Sequence, residues 1–158
     1  MSNTSAPATQ LQIYRIFIKA SADAIWDAIT KPEFSAHYFY GARVETTGDV
    51  GTPFRYRSPD GATLWGDETI LEAHQPHRLV VSWRSLYDPA AAEEPASRVT
   101  WEIEEQDDGT CLLTVTHDRL EQSPRTAAGV AGTGWTMVIS GLKTLLETGN
   151  PLVQHPQP

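Results

Sequence analysis

The chain has 158 residues, with 12 Lys and Arg against 20 Asp and Glu, a net charge of −8 and a pI near 5.0. That length suits one domain with a real core, and 40% hydrophobic with 20% charged residues is the composition of a soluble globular fold. The acidic balance excludes the basic footprint that nucleic acid requires, and no apolar run nears the ~20 residues of a membrane-spanning helix, so neither partner is expected.

Residues 1–10 are small and polar and read as a tail. They lack the basic and apolar runs of a secretory signal. The single cysteine, Cys111, has no internal partner, and a cytoplasmic location is expected. The segment 11–19, rich in β-branched and aromatic residues, predicts a strand. Ser21 then suits an N-cap, and Ile25, Ala28 and Ile29 form the apolar face of a helix that Lys31-Pro32 ends. A short second helix is expected over Glu33–His37.

From 43 to 117 short strands alternate with turn residues. They are Arg43–Thr47, Pro53–Ser58, Leu64–Glu72, Arg78–Leu86, Arg98–Glu105 and Thr110–His117. Pro59-Asp60-Gly61 and Asp107-Asp108-Gly109 are the clearest turns, and 87–95 is the longest loop. Turns this short predict an antiparallel meander. Symmetric pairing across 74–77 would set Leu79 beside Glu72, so a bulge or shorter turn is required there and the facing of 67–73 stays open. Finally, Trp135, Val138, Ile139, Leu142, Leu145 and Leu146 keep helical spacing over 134–147, and Gly149 and Pro151 stop that helix. The domain is read as 11–149, with 150–158 a second tail.

A sheet with one apolar face must be covered, and the C-terminal helix is the large partner at hand. Where the helix fails to fill the sheet's hollow, a ligand pocket results. Strand alternation sends Phe54 and Tyr56, Leu79, Val81 and Trp83, Val99, Trp101 and Ile103, and Leu113, Val115 and His117 inward. With Pro59–Ala62 as a turn, Trp65 falls opposite Tyr56 on the same face.

The segments Ala20–Glu33, Glu72–Trp83 and Leu113–His117, and then Gly134-Trp135 with Leu142-Lys143, resemble in order the domain related to the C-terminal half of the activator of the heat-shock-protein-90 ATPase. That domain belongs to the START-like and polyketide-cyclase superfamily. The resemblance spans about 11–149. It implies an α+β helix-grip fold: a curved seven-stranded antiparallel sheet around a long C-terminal helix, with two short helices closing one end. It also implies a cavity for an apolar small molecule, and makes contact with a chaperone and a role in stress response further expectations.

The expected function is non-enzymatic binding of a hydrophobic or aromatic small molecule, without a cofactor. Phe39, Tyr40, Phe54, Tyr56, Trp65, Trp83, Trp101, His117, Trp135 and Ile139 are the expected ligand contacts, with Phe39 and Tyr40 capping one end and the 87–97 loop as a lid. The alternatives are a cyclase- or hydrolase-like enzyme with His117 as base, and a protein-interaction or homodimer role. Other motifs carry less. His74 and His77, with Glu72 near, sit on a proline-containing turn where the rings need not converge on a metal. Cys111 reads as a buried thiol, and no Gly-x-Ser-x-Gly elbow is present. Gly129, Gly132 and Gly134 lack the lysine of a phosphate loop and read as a flexible lead or gate. Arg43, Arg55 and Arg57 read as a solvated sheet face.

Overall fold

The computed structural model of the protein describes residues 11–86 and 88–153. Among these residues, seven strands form one antiparallel sheet: β1 (Leu11–Ile18), β2 (Arg43–Thr46), β3 (Pro53–Arg57), β4 (Leu64–His74), β5 (Arg78–Trp83), β6 (Ser97–Glu105) and β7 (Cys111–Asp118). Their order is β1-β7-β6-β5-β4-β3-β2, so the meander runs from β2 to β7 and β1 closes beside β7. The sheet is curved around the C-terminal helix α5 (Gly134–Thr148), as the helix-grip reading requires.

The hairpin that closes on His74 and Arg78 resolves the conflict at Leu79. Leu79 pairs with Ala73, Glu72 pairs with Val80, and an irregularity between Ile70 and Glu72 takes up the extra residue. A second bulge corrects an expectation. Tyr56 pairs with Gly66 and Arg57 with Leu64, so Trp65 is the surplus residue and does not sit opposite Tyr56.

Helix α1 (Ala22–Thr30) starts as its sequence dictates, with Ser21 Oγ accepting from the Ala24 amide at 3.1 Å. It buries Ile25, Trp26, Ala28 and Ile29. Lys31, held extended before Pro32, separates it from α2 (Pro32–Tyr38). The Tyr38 hydroxyl donates to the Ala28 carbonyl at 2.7 Å, which locks the two helices together. At Gly141 helix α5 lies against Tyr38 so closely that an added Cβ would stand 3.2 Å from the Tyr38 Cβ. The left-handed Gly149, φ 79°, ends α5, and its amide donates to the Leu145 carbonyl.

Two short helices lay outside the sequence expectation. Helix α3 (Pro89–Ala92) falls in the supposed loop, and α4 (Pro124–Val130) falls before the glycine run. Strand β5 ends at Trp83 rather than Leu86. Glu94 fixes the pair: its carboxylate accepts from the Arg125 and Thr126 amides at 2.9 and 3.0 Å, at the start of α4. The segment expected as a lid therefore packs on α4, and none of its described residues lines the cavity. In the expected C-terminal tail, Leu152 and Val153 border a second, smaller cleft of about 150 Å³ beside His37, Tyr40 and Met137. The other residues assigned to tails, 1–10 and 154–158, lie outside the described residues.

Candidate functional site

Between the sheet and the N-terminal half of α5 lies a cavity of about 430 Å³. That volume falls in the range of small-molecule sites. Its walls are rings. Phe39, at the end of α2, stacks on Tyr56 of β3 with centroids 4.4 Å apart and planes 19° apart. Trp83, at the end of β5, lies 5.8 Å from Tyr56 and 5.4 Å from Trp135 of α5. Trp65, Tyr40, Val138 and Val130 complete the apolar lining. Ser35 sets the α2 side of this wall. Its buried hydroxyl donates to the Ala42 carbonyl and accepts from the Val44 amide, both at 2.9 Å, fixing the Phe39–Ala42 turn to β2.

One corner is polar. Gly66, Glu68 and Ile70 share the concave face of β4, and Glu68 is only 3% exposed. Its carboxylate accepts from the Ser82 hydroxyl at 3.1 Å and from the Arg84 backbone amide. Burial pushes the carboxyl up to about 7, against the opposing pull of the Arg84 amide, Ser82 and the Arg84 charge. In the same wall the Tyr56 hydroxyl, the Trp83 indole N–H and the Arg84 Nε are buried with no hydrogen-bond partner among the described residues. Burial, then the proximity of Tyr38 and Glu68, holds the Tyr56 phenol protonated.

His117 stands behind the wall. It is fully buried, and both ring nitrogens are engaged: Nε2 with Ser97 Oγ at 2.7 Å, and Nδ1 with the Trp135 indole N–H at 3.1 Å. Burial, partly offset by Asp118, lowers its pKa to about 4. It borders no part of the cavity and has no free nitrogen to offer a substrate. That corrects the expectation of His117 as a ligand contact or base.

Residues 19–147 match the sequence family described as "Activator of Hsp90 ATPase homolog 1-like protein". The chain belongs to this family. No curated protein sequence matches the chain. Many solved structures share this family member's fold, CalU16, DynU16 and an Aha1 among them. CalU16 from Micromonospora echinospora is 25% identical, with a TM-score of 0.68 over 89% of this chain and 76% of that one. DynU16, from the dynemicin biosynthetic locus, is 22% identical with a TM-score of 0.72, over 90% of this chain but 49% of its own length. The Aha1 dimer from Colwellia psychrerythraea is 18% identical with a TM-score of 0.68, over 88% of this chain and 97% of that one.

Of the ten expected contacts, this family member brings Phe39, Tyr40, Tyr56, Trp65, Trp83 and Trp135 to the cavity. The other four lie in the layer behind. Phe54 meets the edge of Tyr56 at 5.5 Å, Trp101 meets Trp135 at 5.6 Å, and Ile139 and His117 are buried in the core. An inward strand position places a side chain on the concave face, but the cavity occupies only the part of that face opposite the N-terminal half of α5. Of the glycine run, Gly129 and Gly134 line the cavity.

Glu68 and Arg84 were missed. The signal for Glu68 was present in cross-strand pairing: it stands opposite Phe54, an inward residue, once the Trp65 bulge is counted. The remaining motifs stay outside the site. His74 pairs with Glu72 and His77 with Glu105, at 3.3 and 2.9 Å, so the two rings turn to different carboxylates. Arg55 and Arg57 pair with Asp67 and Glu45 on the outer sheet face, as expected of a solvated surface. Cys111 is buried, and burial followed by Glu105 pushes its thiol up.

Proposed function

We propose that the protein binds an apolar, aromatic small molecule in the cavity between the sheet and α5. The observation that carries this reading is the wall of Phe39, Tyr56, Trp65, Trp83 and Trp135 around about 430 Å³. Rings in such a wall offer flat apolar area at about 25 cal/mol per Å² buried, before association costs. The test is quenching of tryptophan fluorescence by anilinonaphthalene sulfonate and by fused-ring hydrocarbons. Saturable quenching is expected in the native chain and its loss in Val138→Trp, which fills the cavity. Absence of saturable quenching by every probe refutes the reading.

A second reading, self-association, rests on β1. This edge strand exposes Leu11, Ile13 and Phe17 on its outer face, each more than half exposed. Open edges carrying apolar side chains favour pairing with another chain. The similar Aha1 from Colwellia was solved as a dimer. Light scattering that gives a monomer mass at all concentrations removes this reading.

A further inference from the structure

We propose that the ligand is a hydroxyl-bearing aromatic, of the phenol or naphthol class, whose O–H donates to the Glu68 carboxylate and whose oxygen accepts from the Tyr56 hydroxyl. This rests on the ligand-binding reading above and names the chemistry of the same cavity.

Glu68 occupies the concave face of β4, opposite Phe54 and two positions from Ile70, where the pattern calls for an apolar side chain. It is buried, and no Lys, Arg or His among the described residues lies within ion-pair distance of it. The Arg84 charge favours its ionised form but makes no ion pair with it, and a buried carboxylate without an ion pair is costly to maintain. Two donors reach it, Ser82 and the Arg84 amide, whereas a carboxylate has about four lone-pair sites. Acceptor capacity therefore remains at a group that borders the cavity.

Tyr56 presents the complementary vacancy. A Cβ built on Gly66 would lie 3.6 Å from the Tyr56 ring and 3.8 Å from Glu68 Oε2, so both residues flank the same space over a backbone bare of side chain. Among the described residues the Tyr56 hydroxyl is buried and unpaired, and the Trp83 N–H and Arg84 Nε share its wall in the same condition. None of these three donors is bonded to Glu68, and the Tyr56 hydroxyl has no acceptor among the described residues. A ligand hydroxyl supplies a donor to Glu68 and an acceptor to Tyr56 from one atom. An organic cation would satisfy Glu68 but meet the Arg84 charge, and an ether or ketone would satisfy Tyr56 but leave Glu68 desolvated. The aromatic part follows from the stacked and edge-on rings around it.

The test is calorimetric titration of the intact chain with three probes of similar size: 2-naphthol, 2-methoxynaphthalene and 2-methylnaphthalene. The expected result is naphthol binding at least tenfold tighter than both others. Glu68→Met, which keeps the length and removes the acceptor, should bring the three within about twofold of one another, and Tyr56→Phe should lower the preference in part. Near-ultraviolet circular dichroism checks that each variant is folded. Equal affinities of the native chain for all three probes overturn the proposal while leaving ligand binding in place. A naphthol preference that survives Glu68→Met overturns the role of Glu68. Failure of all three probes to bind removes the ligand-binding reading and this proposal with it.

Discussion

The indole N–H of Trp135 donates to Nδ1 of His117 at 3.1 Å, and this contact fixes the state of the imidazole. An indole nitrogen can only donate, so Nδ1 is the acceptor and the proton of neutral His117 sits on Nε2. Nε2–H then donates to Ser97 Oγ, and the Ser97 hydroxyl donates onward to the Trp83 carbonyl at 3.2 Å. The chain is fully satisfied only with a neutral ring, since a proton on Nδ1 would face the indole N–H. It ties α5, β7 and β6 together and holds two of the cavity's tryptophans.

The first prediction is a loss of stability toward acid. Unfolded His117 takes up a proton near 6.5 and the folded one only near 4. Between those values the unfolded state binds more protons, so the His117 contribution is complete above about 6.5 and fades as pH falls toward 4. Its full size is ~3 kcal/mol. His117→Phe abolishes this contribution. It also leaves the Trp135 N–H and Ser97 hydroxyl without their partner, at about 1–3 kcal/mol for each buried group. Urea unfolding at pH 5 and pH 7.5 checks both effects, and a variant as stable as the native chain at pH 7.5 contradicts the hydrogen-bonded role assigned to His117.

Glu68 works in the opposite direction, and Glu68→Gln exposes it. The folded carboxyl holds its proton up to about 7 and the unfolded one only to about 4.5. The folded state binds more protons in that window, so stability falls as pH rises through it. The two slopes oppose each other between about 4.5 and 6.5, and the native chain should show a nearly flat profile there. Glu68→Gln keeps the shape without the charge. It should be more stable than the native chain at pH 8, by up to ~3 kcal/mol, and should unmask the His117 slope at lower pH. Parallel profiles for variant and native chain contradict a buried, uncompensated carboxylate.

How much of this was legible in the sequence depends on whether the deciding signal was periodic. The strand faces and the α5 stripe are repeats of two or 3.6 residues, and each stands where its period placed it, while the Ser21 cap is carried by one side chain. The site depended on what breaks the period. Trp65 is a single surplus residue, and without it the Tyr56 partner shifts from Gly66 to Trp65, hiding both the bare corner and Glu68. The placement of Phe54 and Trp101 behind the wall depends on how far α5 covers the sheet, a tertiary fact that strand alternation does not carry. Helices α3 and α4 are held by Glu94 and Asp88 reaching across 30 or more residues, which no local pattern announces.

Ser35 offers a test of the wall's support at a distance from any ligand. Its hydroxyl bridges the Ala42 carbonyl and the Val44 amide, and the intervening turn passes through left-handed Tyr40 and Gly41, φ 55° and 79°. A non-glycine residue at positive φ is uncommon and needs its surroundings to hold it. Ser35→Ala should cost about 1–3 kcal/mol, because two buried backbone groups lose their partner. It should also weaken probe binding by loosening Phe39. Thermal melting together with probe titration checks this, and Ser35→Thr, which keeps the hydroxyl, should restore part of the binding loss.

Gly66 separates access to the cavity from stability. Its φ is not in the left-handed region, and a Cβ there would meet the Tyr56 ring and Glu68 Oε2 at ordinary contact distances. Gly66→Ala should therefore fold normally, and removing a glycine from a strand should raise stability by about 0.5–1 kcal/mol. Gly66→Leu places three further carbons into the corner between Tyr56 and Glu68, where the aromatic ligand would sit. Its melting temperature should stay within a few degrees of the native value while probe affinity drops at least tenfold. The alanine variant should keep most of its affinity, so the pair distinguishes filling the corner from disturbing β4. Native-like binding by a folded Gly66→Leu would show that ligands enter elsewhere in the cavity, away from the only carboxylate on its wall among the described residues.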